Sequence, residues 1–216
     1  MRPSSDVAFT PSVKAIQAAR GSRPAYERLE ARGGFATDLT AEFAAFLETV
    51  DTAYLATASA AGQPYAQHRG GPKGFIRIVG ANMLGFADYR GNRQYISAGN
   101  LAENERAFLF LMDYAHRRRV KVWGRARMGD DPALLATLVA PGHRATAEQA
   151  VLFTVDAWDV NCPQHIPQKL DAADVEGAMA DLRLRIEALE AENAALRQEA
   201  ASAAAADTPR SGRSAR

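Results

Sequence analysis

The amino-acid sequence predicts a mainly β protein of the α+β class, built as an antiparallel barrel or strongly curved sheet of about seven strands. Between residues 52 and 160, short apolar or alternating segments follow one another, and most are joined by short turns. Helical patterns lie mainly at the two ends, so strands and helices do not alternate as in βαβ folds. No GxGxxG follows a predicted strand, which argues against a Rossmann dinucleotide site.

The first 38 residues are predicted to form a helical arm. Gly21 and Pro24 separate two short helical segments, and Gly33-Gly34 ends the second. Thr40 is the predicted N-cap of a third helix, because an apolar face follows it at helical spacing. This third helix opens the main domain, which we place at residues 39–170.

The main domain contains the predicted strands and two inserted helices. The strands are predicted at residues 52–59, 64–69, 75–80, 83–87, 107–112, 118–128 and 150–160. The first helix is predicted from about residue 94 to Glu105. The second is predicted from Asp131-Pro132 through Leu138, and Pro141-Gly142 ends it. Most of the sheet is therefore expected to be connected by hairpins.

Composition limits the possible classes of function. The chain has 216 residues, a hydrophobic fraction of 47% and a net charge of +1, so a core is expected and no overall charge attracts nucleic acid. A single cysteine, Cys162, excludes an intramolecular disulfide and is typical of a cytoplasmic protein. Neither a signal peptide nor a membrane span is expected.

Residues 62–100 hold the densest group of side chains suited to binding an anion. Two extended segments each end in a glycine turn with an arginine, and a helix is expected to follow the second turn. An isolated arginine in a hairpin turn is usually only solvated, but here two turns could converge on one phosphate. The candidate ligand-binding residues are Arg69, Gly70, Gly71, Asn92, Arg93, Ser97 and Asn100.

A second polar cluster lies at residues 158–169. Its single cysteine and nearby histidine are too few for a metal site, and no partner orients them as a nucleophile, so no metal is predicted. Trp158 offers a flat face, and Asn161 and Gln164 offer hydrogen-bonding groups, which favours binding of a heteroaromatic ring. His165, like His68 beside Arg69, is only a weak candidate for proton transfer.

Residues 171–200 show a heptad pattern. With Ala172 at position a, the later a residues are Met179, Ile186 and Asn193, and the d residues are Val175, Leu182, Leu189 and Leu196. The flanking charges match across a parallel pair, so we predict a parallel dimeric coiled coil. The alternative is one amphipathic helix lying on its own barrel. Residues 201–216 are predicted to be a disordered tail.

Three segments together resemble a known family: QHRGGPKGF at residues 67–75, FADYRGNRQY at 86–95 and WDVNCPQHI at 158–166. They are similar to the pyridoxamine 5'-phosphate oxidase-like, FMN-binding split-barrel family, and particularly to a group of bacterial flavoproteins. The resemblance covers about residues 39–169. It implies a homodimer of six-stranded split barrels with FMN at the interface.

The resemblance also implies roles for individual residues. Arg69 resembles the strand arginine that holds the FMN phosphate, and Asn92 and Arg93 resemble the turn that closes on it. Arg119 falls where related oxidases have a glutamine that contacts FMN. Trp158 and the segment after it resemble the part that completes the flavin pocket, from the partner subunit.

The expected function is that of an FMN-dependent oxidoreductase acting on a small molecule, with NAD(P)H as a possible donor. The flavin, rather than a protein nucleophile, would carry the redox chemistry. Oxidation of pyridoxamine phosphate itself is not expected, because the oxidase's C-terminal RxHxRxxYx pattern is absent. The alternatives are a non-catalytic flavin-binding sensor or carrier, or a haem- or deazaflavin-linked relative of the same fold.

Overall fold

The computed structural model describes residues 2–140, 145–160 and 163–206. The chain divides into two units, Met1–Gln168 and Lys169–Arg216. The predicted helix end at Pro141-Gly142 and the last ten residues of the predicted tail lie outside the described residues.

The N-terminal arm contains a 3₁₀ helix, Ser4–Val7, and two α-helices, α1 (Pro11–Ala19) and α2 (Arg23–Ala31). Helix α3 spans Ala41–Leu47, and the hydroxyl of Thr40 accepts a hydrogen bond from the backbone N–H of Phe43 at 3.2 Å. Thr40 is therefore the N-cap that the sequence predicts.

The main domain is a seven-stranded antiparallel sheet, which confirms the predicted α+β fold class. Its strands are β1 (Thr52–Ala58), β2 (Pro64–Gly70), β3 (Arg77–Gly80), β4 (Met83–Tyr89), β5 (Arg106–Asp113), β6 (Arg118–Gly129) and β7 (Ala147–Val160). The strand order is β2-β1-β5-β6-β7-β4-β3. The strands β2 and β3 are thus the two edges between which the barrel is split.

The inserted helices α4 and α5 span Ile96–Glu103 and Pro132–Leu138. Helix α4 ends two positions before the predicted Glu105, because Asn104 adopts an extended backbone with φ −147° and β5 begins at Arg106. Helix α6 spans Ala172–Ala206 and so passes the predicted boundary at residue 200. None of the helices in the described part of the chain is long and apolar enough to cross a membrane.

Strand pairing decides which side chains of β2 face the interior. Arg69 pairs with Ala53 and Gln67 with Leu55, and both β1 residues are fully buried in the core. Directly paired residues in an antiparallel sheet project from the same face. Arg69 and Gln67 therefore face the core side of the edge strand, and the intervening His68 faces the other way.

The N-terminal arm covers the outer side of β6 and part of β7. Phe35 stacks on Trp123 with ring centroids 5.1 Å apart and an interplanar angle of 7°. The backbone N–H of Trp158 donates to the carbonyl of Ala36 at 2.8 Å, and its indole Nε1 donates to the carbonyl of Asp38 at 2.9 Å. The arm is thus attached by both stacking and backbone pairing.

Candidate functional site

A cleft opens between β2, the end of β4 and the start of α4. Its lining includes Arg69 and Gln67 from β2, Asp88 from β4, the turn at residues 91–95, and Glu148 from β7. The cleft brings together four residues that the sequence predicts as ligand-binding, namely Arg69, Asn92, Arg93 and Ser97. The end of strand β2 and the turn that follows β4 therefore meet at one space.

Arg69 provides the most buried cation of this cleft. Its side chain is 12% exposed, and its Nη1 forms an ion pair with the carboxylate of Asp88. Its Nε is buried and has no hydrogen-bond partner in the described part of the structure. A buried N–H donor without an acceptor costs free energy, so an acceptor supplied by a ligand would be stabilised here.

The turn between β4 and α4 is held in an unusual backbone conformation. Arg93 and Tyr95 have positive φ angles of 60° and 52°. Such left-handed conformations cost on the order of 1 kcal/mol for residues with a side chain, and they concentrate at functional sites. The amide side chain of Asn92 accepts a hydrogen bond from the backbone N–H of Gln94 at 3.3 Å and supports this turn.

A chain of charged and phenolic groups fixes the outer wall of the cleft. Arg93 Nε donates to the Tyr95 hydroxyl at 3.0 Å, and that hydroxyl donates to Glu148 Oε2 at 3.2 Å. Arg90 Nε lies 2.7 Å from Glu148 Oε1, and this hydrogen bond is the main reason that the pKa of Glu148 is lowered. The hydrogen bond to Tyr95 raises the pKa of Arg93. Glu148, Arg90 and Arg93 therefore stay charged at neutral pH.

The first turn of α4 points at the same cleft. Ile96, Ser97 and Ala98 all line it, the preceding Tyr95 makes no side-chain cap, and the first turn contains no acidic residue. The first N–H groups of a helix have no intrahelical partners and carry partial positive charge. The Ser97 hydroxyl, which is buried, donates to Gln67 Oε1 at 2.8 Å and ties the helix start to β2.

Two of the predicted glycines do not act as open anion donors. The N–H of Gly71 donates to the carbonyl of Asp51 at 3.2 Å, and a Cβ at Gly71 would lie 2.6 Å from Cβ of Phe75. Gly70 pairs with Thr52 in the β1–β2 ladder. This corrects the sequence-based interpretation, because these glycines serve strand pairing and close packing and do not line the cleft.

Asn100 and Arg119 also lie away from the cleft in this chain. The side-chain amide of Asn100 donates to the Thr57 hydroxyl at 3.0 Å and so anchors α4 to β1. Arg119 lies on the sheet face opposite to Arg69. Its neighbour Val120 pairs with the buried Leu111 and faces the core, so Arg119 faces the other way. Like Arg69, Arg119 has a buried Nε without a partner in the described structure.

The late polar cluster is only partly described. Trp158 is 9% exposed, and its ring packs on Phe43 with centroids 4.9 Å apart. Its interpretation as an open stacking surface is therefore wrong for this chain, because the core covers its faces. Gln164 and His165 lie in an exposed turn, and Asn161 and Cys162 lie outside the described residues.

His68, the other weak candidate for proton transfer, does not reach the cleft. It is exposed on the outer side of β2, and its ring packs edge-on against Tyr54 with centroids 5.6 Å apart. Among the described residues there is also no group of three or more histidine, cysteine, aspartate or glutamate side chains that could hold a metal ion.

Among the residues that line the cleft, sequence reasoning did not identify Gln67, Asp88, Tyr95 or Glu148. Gln67 could have been found from the two-residue alternation that places it on the face of Arg69. Asp88 and Tyr95 lie within the motif around the second turn. Glu148 is brought near by the β4–β7 pairing, which has an irregular register between Asp88 and Tyr89, and no local pattern signals this.

The chain belongs to the family described as pyridoxamine 5'-phosphate oxidase, which matches residues 39–170, more than half of the sequence. This match confirms the predicted family. No curated protein matches the chain in sequence.

Several solved structures are similar to part of the chain. HupZ from Group A Streptococcus is 17% identical, with a TM-score of 0.45, over 61% of this chain and 98% of that one. An FMN-binding protein from Syntrophomonas wolfei is 8% identical, with a TM-score of 0.44, over 67% and 97% of the two chains. General Stress Protein 26 from Bacillus anthracis is 13% identical, with a TM-score of 0.43, over 55% and 91%. The family assignment rests on the sequence match.

Proposed function

We propose that the barrel unit binds FMN, with the phosphate in the cleft at Arg69, and acts as an FMN-dependent oxidoreductase on a small molecule. The observation that carries this proposal is the buried Nε of Arg69, which has no hydrogen-bond partner among the described residues and belongs to a cleft that the start of α4 also lines. Family membership supports a nucleotide-type cofactor, and the donor set supports its phosphate end.

The residues present fit a phosphate group in kind and number. Arg69 and Arg93 supply guanidinium donors, and the first turn of α4 supplies N–H groups that favour an anion. The carboxylates of Asp88 and Glu148 balance these charges, but both are already engaged by arginines. An incoming phosphate would therefore add acceptors to the remaining guanidinium donors and compete with Asp88 for Arg69.

The ring end of the site is proposed to involve a second copy of the chain. Tyr95 and Ile96, on the rim of the cleft, are adjacent large side chains that are 48% and 40% exposed. We propose that a flavin ring and a partner chain cover them in a homodimer, with Arg119 and the segment containing Asn161 and Gln164 contributing across the interface. FMN, when bound, supplies the redox chemistry, and this chain binds and orients it.

The single cysteine supports a cytoplasmic location.

The absorption spectrum of the purified protein tests the cofactor class. We expect the bands of an oxidised flavin, and mass spectrometry of the released cofactor should identify FMN. A Soret band would instead indicate haem, and a deazaflavin spectrum would indicate that relative of the fold. A protein that stays colourless after incubation with FMN would contradict the proposal.

Replacing Arg69 should selectively weaken binding of the phosphate. Removal of a charge-assisted donor is expected to raise the dissociation constant for FMN about 10- to 150-fold in Arg69→Ala. Riboflavin lacks the phosphate, so its affinity should change little. Fluorescence titration of both ligands into the same protein measures the two constants.

A matched control is Arg125→Ala. Arg125 is also an ion-paired strand arginine, 3.5 Å from Asp156, but it does not line the cleft, so its FMN affinity should match the unmodified protein. An FMN-to-riboflavin affinity ratio that is unchanged in Arg69→Ala would remove Arg69 from the phosphate site.

A non-catalytic flavin-binding role is the second candidate. The ionisable side chains named for the cleft wall are held in ion pairs or hydrogen bonds, which is typical of a binding site as well as of an enzyme. Anaerobic reduction with NADH or NADPH, followed by turnover with an electron acceptor, separates the two. A protein that retains FMN but is not reduced by either nucleotide would favour a sensor or carrier.

A further inference from the structure

Helix α6 carries a continuous apolar stripe along one face. Every side chain described between residues 172 and 203 is exposed. The large apolar side chains at a and d positions are between 42% and 60% exposed: Val175, Met179, Leu182, Ile186, Leu189 and Leu196. A stripe of this length that faces water is unfavourable, so it marks a surface for a partner.

The spacing of the stripe specifies the kind of partner. Its positions alternate between three and four residues apart from Ala172 to Leu196, which is the 3.5-residue repeat of a left-handed coiled coil. Leu184 is exposed as well, but it occupies position f on the opposite side of the helix. The apolar stripe is therefore narrow enough for a single partner helix with the same repeat to cover it.

We propose that α6 pairs with α6 of a second copy of this chain as a parallel two-stranded coiled coil. In a parallel pair, a g residue meets the e residue five positions later on the other helix. Arg185 then faces Glu190 of the partner subunit, and Glu192 faces Arg197 of the partner subunit. Both contacts are of opposite sign, and symmetry repeats each of them, so the chain is complementary to itself.

Asn193 selects the parallel orientation. An antiparallel pair could also match charges, for example Arg185 with Glu192 of the partner subunit. That arrangement, however, packs Asn193 at an a position against Leu182 of the partner subunit and buries an amide without a partner. In the parallel pair the two asparagines meet each other, which is the known use of a single asparagine at position a.

Cysteine cross-linking tests the orientation in the full chain. In a Cys162→Ser background, Leu196→Cys at position d should form a disulfide-linked dimer under mild oxidation, because identical d residues meet in a parallel pair. Leu184→Cys is the matched control, since it is also an exposed leucine of α6 but points away from the stripe. Equal yields for the two variants, or none for Leu196→Cys, would overturn the proposal; antiparallel pairing and dimerisation through the barrel alone both predict no link at residue 196.

Charge reversal provides an independent test on the Leu196→Cys chain. Arg185→Glu should lower the cross-linking yield, because it faces Glu190 of the partner subunit with like charge. Adding Glu190→Arg restores opposite charges in a parallel pair and should recover the yield. In an antiparallel pair the double change instead creates two like-charged contacts, so a further loss would contradict the parallel arrangement.

The pairing is independent of the proposed flavin site. FMN absorbance measured on the same cross-linked samples distinguishes failure of one proposal from failure of the other. A cross-linked dimer without flavin would support helix pairing alone, and bound flavin without a cross-link would support the flavin site alone.

Discussion

At the scale of single residues, the anionic ligand of Arg69 in this structure is a carboxylate of its own chain. Asp88 is 17% exposed and Arg69 is 12% exposed, so the pair is largely shielded from water. A partly buried arginine without a counter-charge would be destabilising. The ion pair therefore stabilises the cleft until a phosphate supplies further acceptors.

Asp88→Asn should reveal the proposed competition between Asp88 and the FMN phosphate for Arg69. Loss of the ion pair is expected to lower the stability of the free protein by about 1–3 kcal/mol, whereas a bound phosphate compensates by pairing with Arg69. The rise in melting temperature on adding saturating FMN should therefore be larger in Asp88→Asn than in the unmodified protein. A rise of equal size in both, measured by differential scanning fluorimetry, would show that Asp88 and the phosphate do not share Arg69.

The buried carboxylate of Asp113 makes the stability of the protein depend on pH. It is 4% exposed, and the His116 backbone N–H donates to its Oδ1 at 3.0 Å. Burial alone raises the pKa of Asp113, but hydrogen bonds, first among them that from the His116 N–H, outweigh this effect and lower it below 3.8.

A lowered pKa in the folded state gives stability that is present above the unfolded pKa and is lost as the pH falls through the folded value. The difference in unfolding free energy between the unmodified protein and Asp113→Asn should thus have its largest value at pH 7 and should become smaller below about pH 4. Urea unfolding at pH 7, 5 and 3 measures it. A difference that grows toward acid pH would contradict the assigned direction.

The residues that sequence reasoning reached at this scale are those next to turns. Arg69, Asn92 and Arg93 are marked by adjacent glycines and by their motifs. Glu148 has no such mark, because its place in the cleft depends on how β7 aligns with β4, 60 residues earlier along the chain. Trp158 was misread because a polar neighbourhood in sequence does not show which strand face is buried.

At the scale of elements, the alternation of apolar side chains was sufficient to locate the strands, and breakers were sufficient to locate most helix ends. Thr40 and Asp131 cap α3 and α5 as their residue types predict. The start of α4 was less predictable, because Tyr95 in a left-handed conformation is not a usual N-cap. A local hydrogen bond from Arg93 and a long-range one to Glu148 hold it there.

The irregular pairing between β6 and β7 depends on Gly124. The register shifts between Trp123 and Gly124, and a Cβ at Gly124 would lie 2.0 Å from the carbonyl oxygen of Thr154. Because the clash is with backbone, Gly124→Ala should destabilise the barrel by roughly 3 kcal/mol or more. Gly99→Ala is the control: it is helical with no heavy atom within 4 Å of its Cβ, and it should stabilise by up to about 1 kcal/mol. Thermal denaturation of both variants decides, and a neutral Gly124→Ala would show that the two strands can shift apart.

At the scale of the whole molecule, the two units differ in their spectroscopic groups. Both tryptophans, Trp123 and Trp158, lie in the barrel unit, and residues 169–216 contain no aromatic side chain. Tryptophan fluorescence therefore reports on the barrel, while circular dichroism at 222 nm reports largely on helices such as α6.

The two signals should give separate thermal transitions. A helix exposed along its length depends on pairing for stability. The circular dichroism transition of α6 is therefore expected at a lower temperature than the fluorescence transition of the barrel, and its midpoint should rise with protein concentration. Fluorescence and circular dichroism recorded on one sample over a tenfold concentration range test this. Coincident midpoints would mean that the units unfold together.

The attachment of the N-terminal arm has a consequence for how the chain folds. The indole of Trp158 bonds the carbonyl of Asp38 across 120 residues of sequence. During synthesis the arm leaves the ribosome long before β7 exists, and contacts so distant in sequence are slow to form. Phe35, which packs against Phe9, lacks its stacking partner Trp123 until β6 has been synthesised. We expect this waiting period to be the stage at which the protein most needs a chaperone.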